Sequence, residues 1–407
     1  MSAVLPWRRA KSTPVAKPSV KAPVKERWLA LDLFRFAAVV LMIQGHVFYE
    51  VVSEGVRGSW WYGYHGYVHG FTAPIFLFSS GMAFGITTLG KWDAHTRLGK
   101  TVYKRFERYL MIIGIGYLLH LQQPSLSWLL SLPPERLART TSVDALQHIG
   151  MVLIFAESLV MILRNKRLYL TVIAILTGLA IFSAPFLWAA DVSALPSPIA
   201  AWINDSTGSI FPIVPWCGFL FGGILTARFV QTRRLKAPGL RQLFLPLALI
   251  AAALILFGDR MAHAPFDPFP EHNFWKTSPW FFFIRLGGVL GLLSVLCLVE
   301  SLLTKRMKAT KKKMPVVRFV QVIGTQTLVL YVAHLLLLYG TGFTPGVNGS
   351  FHRGLDLLPA IGLVGLFFAA MGLLAYLWNW TKTHHFVWFE RVRYTVTFAV
   401  IALILLT

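Results

Sequence analysis

The chain has 407 residues, of which 56% are hydrophobic and only 14% charged, and its formal net charge is +22. Soluble domains carry about 45–50% apolar and about 25% charged residues, so this composition excludes an ordinary soluble protein and calls for spans of roughly 20 apolar residues each. The excess of Lys and Arg does not point to a nucleic-acid partner, because the basic residues sit in short segments between apolar runs, where they act as topology signals.

Residues 1–28 hold Arg8, Arg9, Lys11, Lys17, Lys21, Lys25 and Arg27 with prolines between them, and are expected to form a disordered basic cytoplasmic tail. No small-residue cleavage site follows the first apolar run, so a removable signal peptide is not expected. Residues 29–407 form the transmembrane domain. Their apolar runs lie at about 29–51, 68–90, 108–128, 146–163, 168–190, 209–227, 241–258, 278–303, 317–340, 356–380 and 391–407. The last is either a short span or an interfacial helix. The expected fold is therefore all-α: a polytopic transmembrane helix bundle of about 11 helices embedded in a lipid bilayer. Cys217 and Cys297 each fall inside an apolar run and read as small buried hydrophobes.

The linkers alternate in charge. The tail, Lys91–Arg108, Arg164–Arg167, Arg228–Arg241, Lys305–Arg318 and Lys382–Arg393 are basic, whereas the intervening loops hold most of the loop carboxylates. The positive-inside rule puts the basic side, and with it the N-terminus, in the cytoplasm. Odd-numbered spans then run outward. Short loops favour a bacterial inner membrane.

Ionisable side chains within a span are costly and mark function by default. In the first span, Asp32 and Arg35 are three residues apart and share a helix face. His46 follows Arg35 by eleven residues, which returns it to within about 20° of the same face and roughly 16 Å further along the axis. His65 and His69, four residues apart, lead into the second span, and Asp144 and His148, also four apart, open the fourth. Trp216 opens the sixth, Arg285 lies in the outer half of the eighth, and His334 in the outer half of the ninth. Taken singly, each is more often structural; Trp216 alone fits an aromatic belt. Together they predict a polar cavity that opens outward.

Histidine is the usual general base near neutral pH, and an aspartate four residues from a histidine can orient its ring. The chain has no His–Glu–x–x–His pair, cysteine cluster, Gly–x–Ser–x–Gly elbow or phosphate-binding glycine loop, so no metal is expected. The polar layer also suits a transporter or flippase moving substrate or protons, although the sequence shows no inverted repeat. A scaffold with interhelically bonded histidines is the remaining alternative.

Arg35–FAAVVLMIQG–His46 resembles the Arg–x10–His motif of the acyltransferase-3 branch of the transmembrane acyltransferase superfamily. Leu31-Asp32-Leu33-Phe34-Arg35 and His65-Gly66-Tyr67-Val68-His69-Gly70-Phe71-Thr72 resemble the opening and catalytic segments of its heparan-alpha-glucosaminide N-acetyltransferase branch. Pro74 to Gly81, Asp144 to Gly150, Phe211 to Trp216 and Tyr331 to His334 are similar to later segments of that branch. His69 stands where the family carries asparagine, and Phe36 where it carries glycine. The resemblance implies acyl transfer, most commonly of acetyl from acetyl-CoA, to a sugar hydroxyl or amine on the extracytoplasmic side. It implies His46 and His65 as catalytic residues and Arg35 as a donor-binding residue. His69, Asp144, His148, Trp216, Arg285 and His334 are then expected around the acceptor.

Overall fold

The computed structural model describes residues 28–123, 125–236, 241–310, 314–340 and 344–406, and these are mostly helical, without a sheet. Residues 1–27, nearly all of the expected tail, lie outside that set. The long helices are α1 (Leu29–Val51), α2 (Trp60–His69), α3 (Thr72–Gly90), α4 (Lys100–Leu118), α5 (Ala145–Leu163), α6 (Lys166–Ala189), α7 (Cys217–Lys236), α8 (Arg241–Ala262), α9 (Pro279–Thr310), α10 (Pro315–Thr325), α11 (Thr327–Tyr339), α12 (Leu357–His384) and α13 (Phe386–Leu406).

Among the described residues seven spans are long and apolar enough to cross a membrane, α2 and α3 counting together as one, and there are eight if the bent pair α10–α11 is included. The other three of the eleven expected runs fall on α4, α7 and α13. Each carries charged residues toward one end: Lys100, Lys104, Arg105, Glu107 and Arg108 in α4, Arg228 and Arg233 in α7, and Glu390, Arg391 and Arg393 in α13. The run expected over 317–340 is broken at Gln326, where α10 and α11 meet at a 75° bend. Gln326 is buried there, with its amide 3.4 Å from Asn379 Oδ1 of α12.

Local signals account for the helix ends. Asn165 Oδ1 accepts from the amides of Arg167 and Leu168 and so caps α6. Arg164 just before it, at φ 50°, ends α5. Pro315 starts α10, where its missing N–H costs nothing.

α1 is the hub of the bundle and packs against α3, α9, α10 and α12. One side of it builds a core of Phe34, Phe78, Met82 and Leu293, and the other a core of Met42, Ile43, Leu330 and Phe367. α3 and α7 pack closely: a Cβ on Gly81 would collide with the Leu220 backbone, and one on Gly223 with the Phe78 carbonyl. With no hydrophobic drive between helices in lipid, small residues that bring backbones together supply much of the association. Cys217 and Cys297 are free and buried.

Candidate active site

Arg35 near the start of α1 and His46 near its end line one cavity of about 1420 Å³. Ligand pockets usually measure about 300–1,000 Å³, so this space has room for two substrates at once.

His46 Nδ1 lies 2.8 Å from His334 Nε2 on α11, and the two rings stack with centroids 5.1 Å apart. His334 is fully buried, and its Nδ1 donates to the Leu330 carbonyl at 2.9 Å. His69 stands edge-on to His46 at 5.7 Å, with Nδ1 3.3 Å from Thr72 Oγ1. This approach of α2 to α1 requires Gly45, because a Cβ there would fall inside the His69 ring. His65 lies parallel to His69 at 6.3 Å, and the Gln44 amide donates to its Nε2 at 2.6 Å. Four imidazoles from three helices thus form a row, His65–His69–His46–His334.

Across the cavity, Asp144 caps α5 by accepting from the Ala145 amide, and its other oxygen is 3.8 Å from His120 Nε2. It does not orient the ring of His148. That histidine is fully buried and donates from Nδ1 to the Phe211 carbonyl at 3.1 Å, tying α5 to the loop before α7. The four-residue spacing fails to pair them because Asp144 is the cap and not a helical residue. At another edge of the cavity the Arg285 guanidinium sits 4.4 Å from the Phe281 ring centroid and 5.9 Å from that of Trp216. Such contacts stabilise a cation without neutralising it.

Arg35, His46, His69, Asp144, Trp216 and Arg285 all line the cavity. His65, His148 and His334 are not among its lining residues and pack behind them. His120 and Gln147, which are not among the residues expected from the sequence, also line it. Buried atoms without a partner among the described residues surround the space: Arg285 Nε, Trp216 Nε1, His120 Nδ1 and both polar atoms of the Gln147 amide. Leaving such a group unsatisfied costs about 1–3 kcal/mol, a cost that a polar ligand removes.

The opposite end of the cavity is basic, lined by Arg35, Arg105, Arg108 and Lys382. Arg105 is fixed by Glu157 at 2.9 Å and Thr88 Oγ1 at 2.6 Å, and Glu157, fully buried, also accepts from His95 Nδ1 at 2.7 Å. The signal for this network was available, since Glu157 is a carboxylate inside an apolar run. Among the described residues no group of three or more His, Cys, Asp and Glu side chains is placed to hold a metal ion.

The catalytic-domain model of heparan-alpha-glucosaminide N-acetyltransferase matches residues 27–265, well over half of the chain. The chain belongs to this family. No protein of curated function matches it. The family match spans α1 to α8 and includes Arg35, the histidines of α1 and α2, Asp144 and Trp216. Arg285 and His334 lie beyond its end. Membership and the long apolar helices together make this chain a multi-pass membrane protein of an acyltransferase family.

Proposed function

We propose that the chain transfers an acyl group, most commonly acetyl from acetyl-CoA, to a sugar hydroxyl or amine on the extracytoplasmic side of the membrane. The observation that carries this reading is the single cavity lined by four cationic side chains at one end and by the imidazoles of His46 and His69 at the other. Phosphates of a CoA thioester suit the basic end, where Arg35 and the fixed guanidinium of Arg105 offer charge-assisted donors. The basic loops of the sequence support a cytoplasmic position for that end, where acyl-CoA is made. The pantetheine arm is long and thin, and the cavity runs from this end to His46.

Of the two histidines implied as catalytic, the geometry favours His46 as general base, because it faces the cavity whereas His65 lies behind His69. His46 takes the acceptor proton as the acceptor oxygen or nitrogen attacks the thioester carbonyl. A positioned base contributes about 10²–10⁴-fold. His65 and Gln44 steady the imidazole row. Asp144, His120 and Gln147 face the acceptor, and Trp216 and Arg285 wall its outer side.

The test is transfer of labelled acetyl from acetyl-CoA by the purified protein to a panel of glycans, scored with release of free CoA. His46→Ala is expected to fold and lose transfer by about 10²-fold or more, with a smaller loss for His65→Ala. Full transfer by His46→Ala rules out the base assignment.

The bend between α10 and α11 favours one other reading, a carrier, since transporters build substrate sites from broken helices. Flux of a glycan into proteoliposomes without acyl transfer supports the carrier; saturable acetyl-CoA turnover supports the enzyme.

A further inference from the structure

Resting on the acyl-transfer reading, we propose that His334 is a positioning residue that holds His46 as its Nδ1–H tautomer and leaves Nε2 as the basic atom.

The Leu330 carbonyl can only accept, so the 2.9 Å contact requires a hydrogen on His334 Nδ1. A neutral imidazole carries one hydrogen, so His334 Nε2 is a lone pair. His46 Nδ1, 2.8 Å from that lone pair, must be the donor. His46 Nε2 is then bare, in a residue that lines the cavity. The partner of the base is here a neutral, fully buried imidazole whose far nitrogen ends on the backbone of its own helix. The other titratable groups within electrostatic reach of His46 are His69 and Asp144.

During transfer the acceptor O–H or N–H bond breaks and its proton joins His46 Nε2. The acceptor atom bonds to the acyl carbon, the carbon–sulfur bond breaks, and Nε2 returns the proton to the departing sulfur. Between those events the imidazolium keeps its Nδ1–H on His334 Nε2, which spreads the positive charge over two rings and keeps the ring from turning.

Two variants test this. His334→Gln keeps an acceptor, its Oε1, at the place of Nε2; His334→Leu removes it at similar size. In protein labelled with ¹⁵N-histidine, the His46 signals, assigned by their disappearance in His46→Gln, are expected to show a protonated Nδ1 and a bare Nε2. That pattern is expected to persist in His334→Gln and to be lost in His334→Leu. An Nε2-protonated His46 in the unaltered protein, or an unchanged His46 spectrum in His334→Leu, overturns the proposal. With labelled acetyl-CoA, His334→Leu should lower kcat by about 10²-fold, the scale of a misplaced base, with little change in KM, and His334→Gln should recover most of it. The tautomer readout needs no turnover. If it responds as expected in a protein that transfers no acyl group, the tautomer assignment stands and only the functional reading falls.

Discussion

The ring of His69 occupies the space that a side chain on Gly45 would fill. α1 and α2 therefore meet at a distance only glycine permits, and the imidazole row depends on that contact. Gly45→Ala forces the ring away, and overpacking of this kind costs about 1–3 kcal/mol. The variant is expected to melt lower in detergent and to lose acyl transfer. Adding His69→Ala should restore the melting temperature but not the activity. If Gly45→Ala alone leaves both unchanged, the contact between the helices is looser than described.

Glu157 answers two partners, the Arg105 guanidinium and the His95 imidazole, from a fully buried position. Removing one member of a buried ionic cluster leaves the rest uncompensated, typically at about 3–5 kcal/mol. Glu157→Leu is expected to destabilise the protein by that order in a denaturation series. The double variant Glu157→Leu with Arg105→Met should be more stable than the single one. It should also raise KM for acetyl-CoA, because Arg105 lines the basic end of the cavity.

Arg285 keeps its charge against the faces of Phe281 and Trp216. Arg285→Met preserves much of the packing and removes the cation. Cation–π contacts contribute about 0.5–2 kcal/mol, so a modest loss of stability is expected. KM for the glycan acceptor should rise more than KM for acetyl-CoA. Equal changes in the two constants would move Arg285 away from the acceptor.

Orientation has its own test. Cys217 and Cys297 are buried and can be replaced to give a cysteine-free background. Ser193→Cys, in the loop after α6, is expected to react with a membrane-impermeant maleimide from outside the cell. Thr96→Cys, in the loop after α3, should react only once the membrane is opened. The reverse pattern would invert the bundle.

Much of this architecture is legible in the sequence because lipid imposes a simple demand: every backbone polar group must be satisfied within its own segment, so apolar runs become helices. The residues that face the cavity from α1, α2, α5 and α9 are readable for the same reason, since an ionisable group in such a run needs a polar destination. The same rule points to His120 and Glu157, each within or beside an apolar run. What periodicity does not carry is partnership between segments. The pairing of His46 with His334 joins positions 288 residues apart. The failure of Asp144 to meet His148 turns on a cap, a detail of one residue's backbone. Nor does composition tell a straight helix from one that breaks at Gln326, since both read as one apolar run.

That corner at Gln326 has a geometric consequence for the dyad. His334 lies eight residues beyond it, about 12 Å of helical rise, and the 75° turn directs nearly all of this travel sideways, across the original axis. An unbroken rod would carry the imidazole that far past the level of the corner. The elbow instead converts climb into reach, and so meets the partner ring on α1 from the flank.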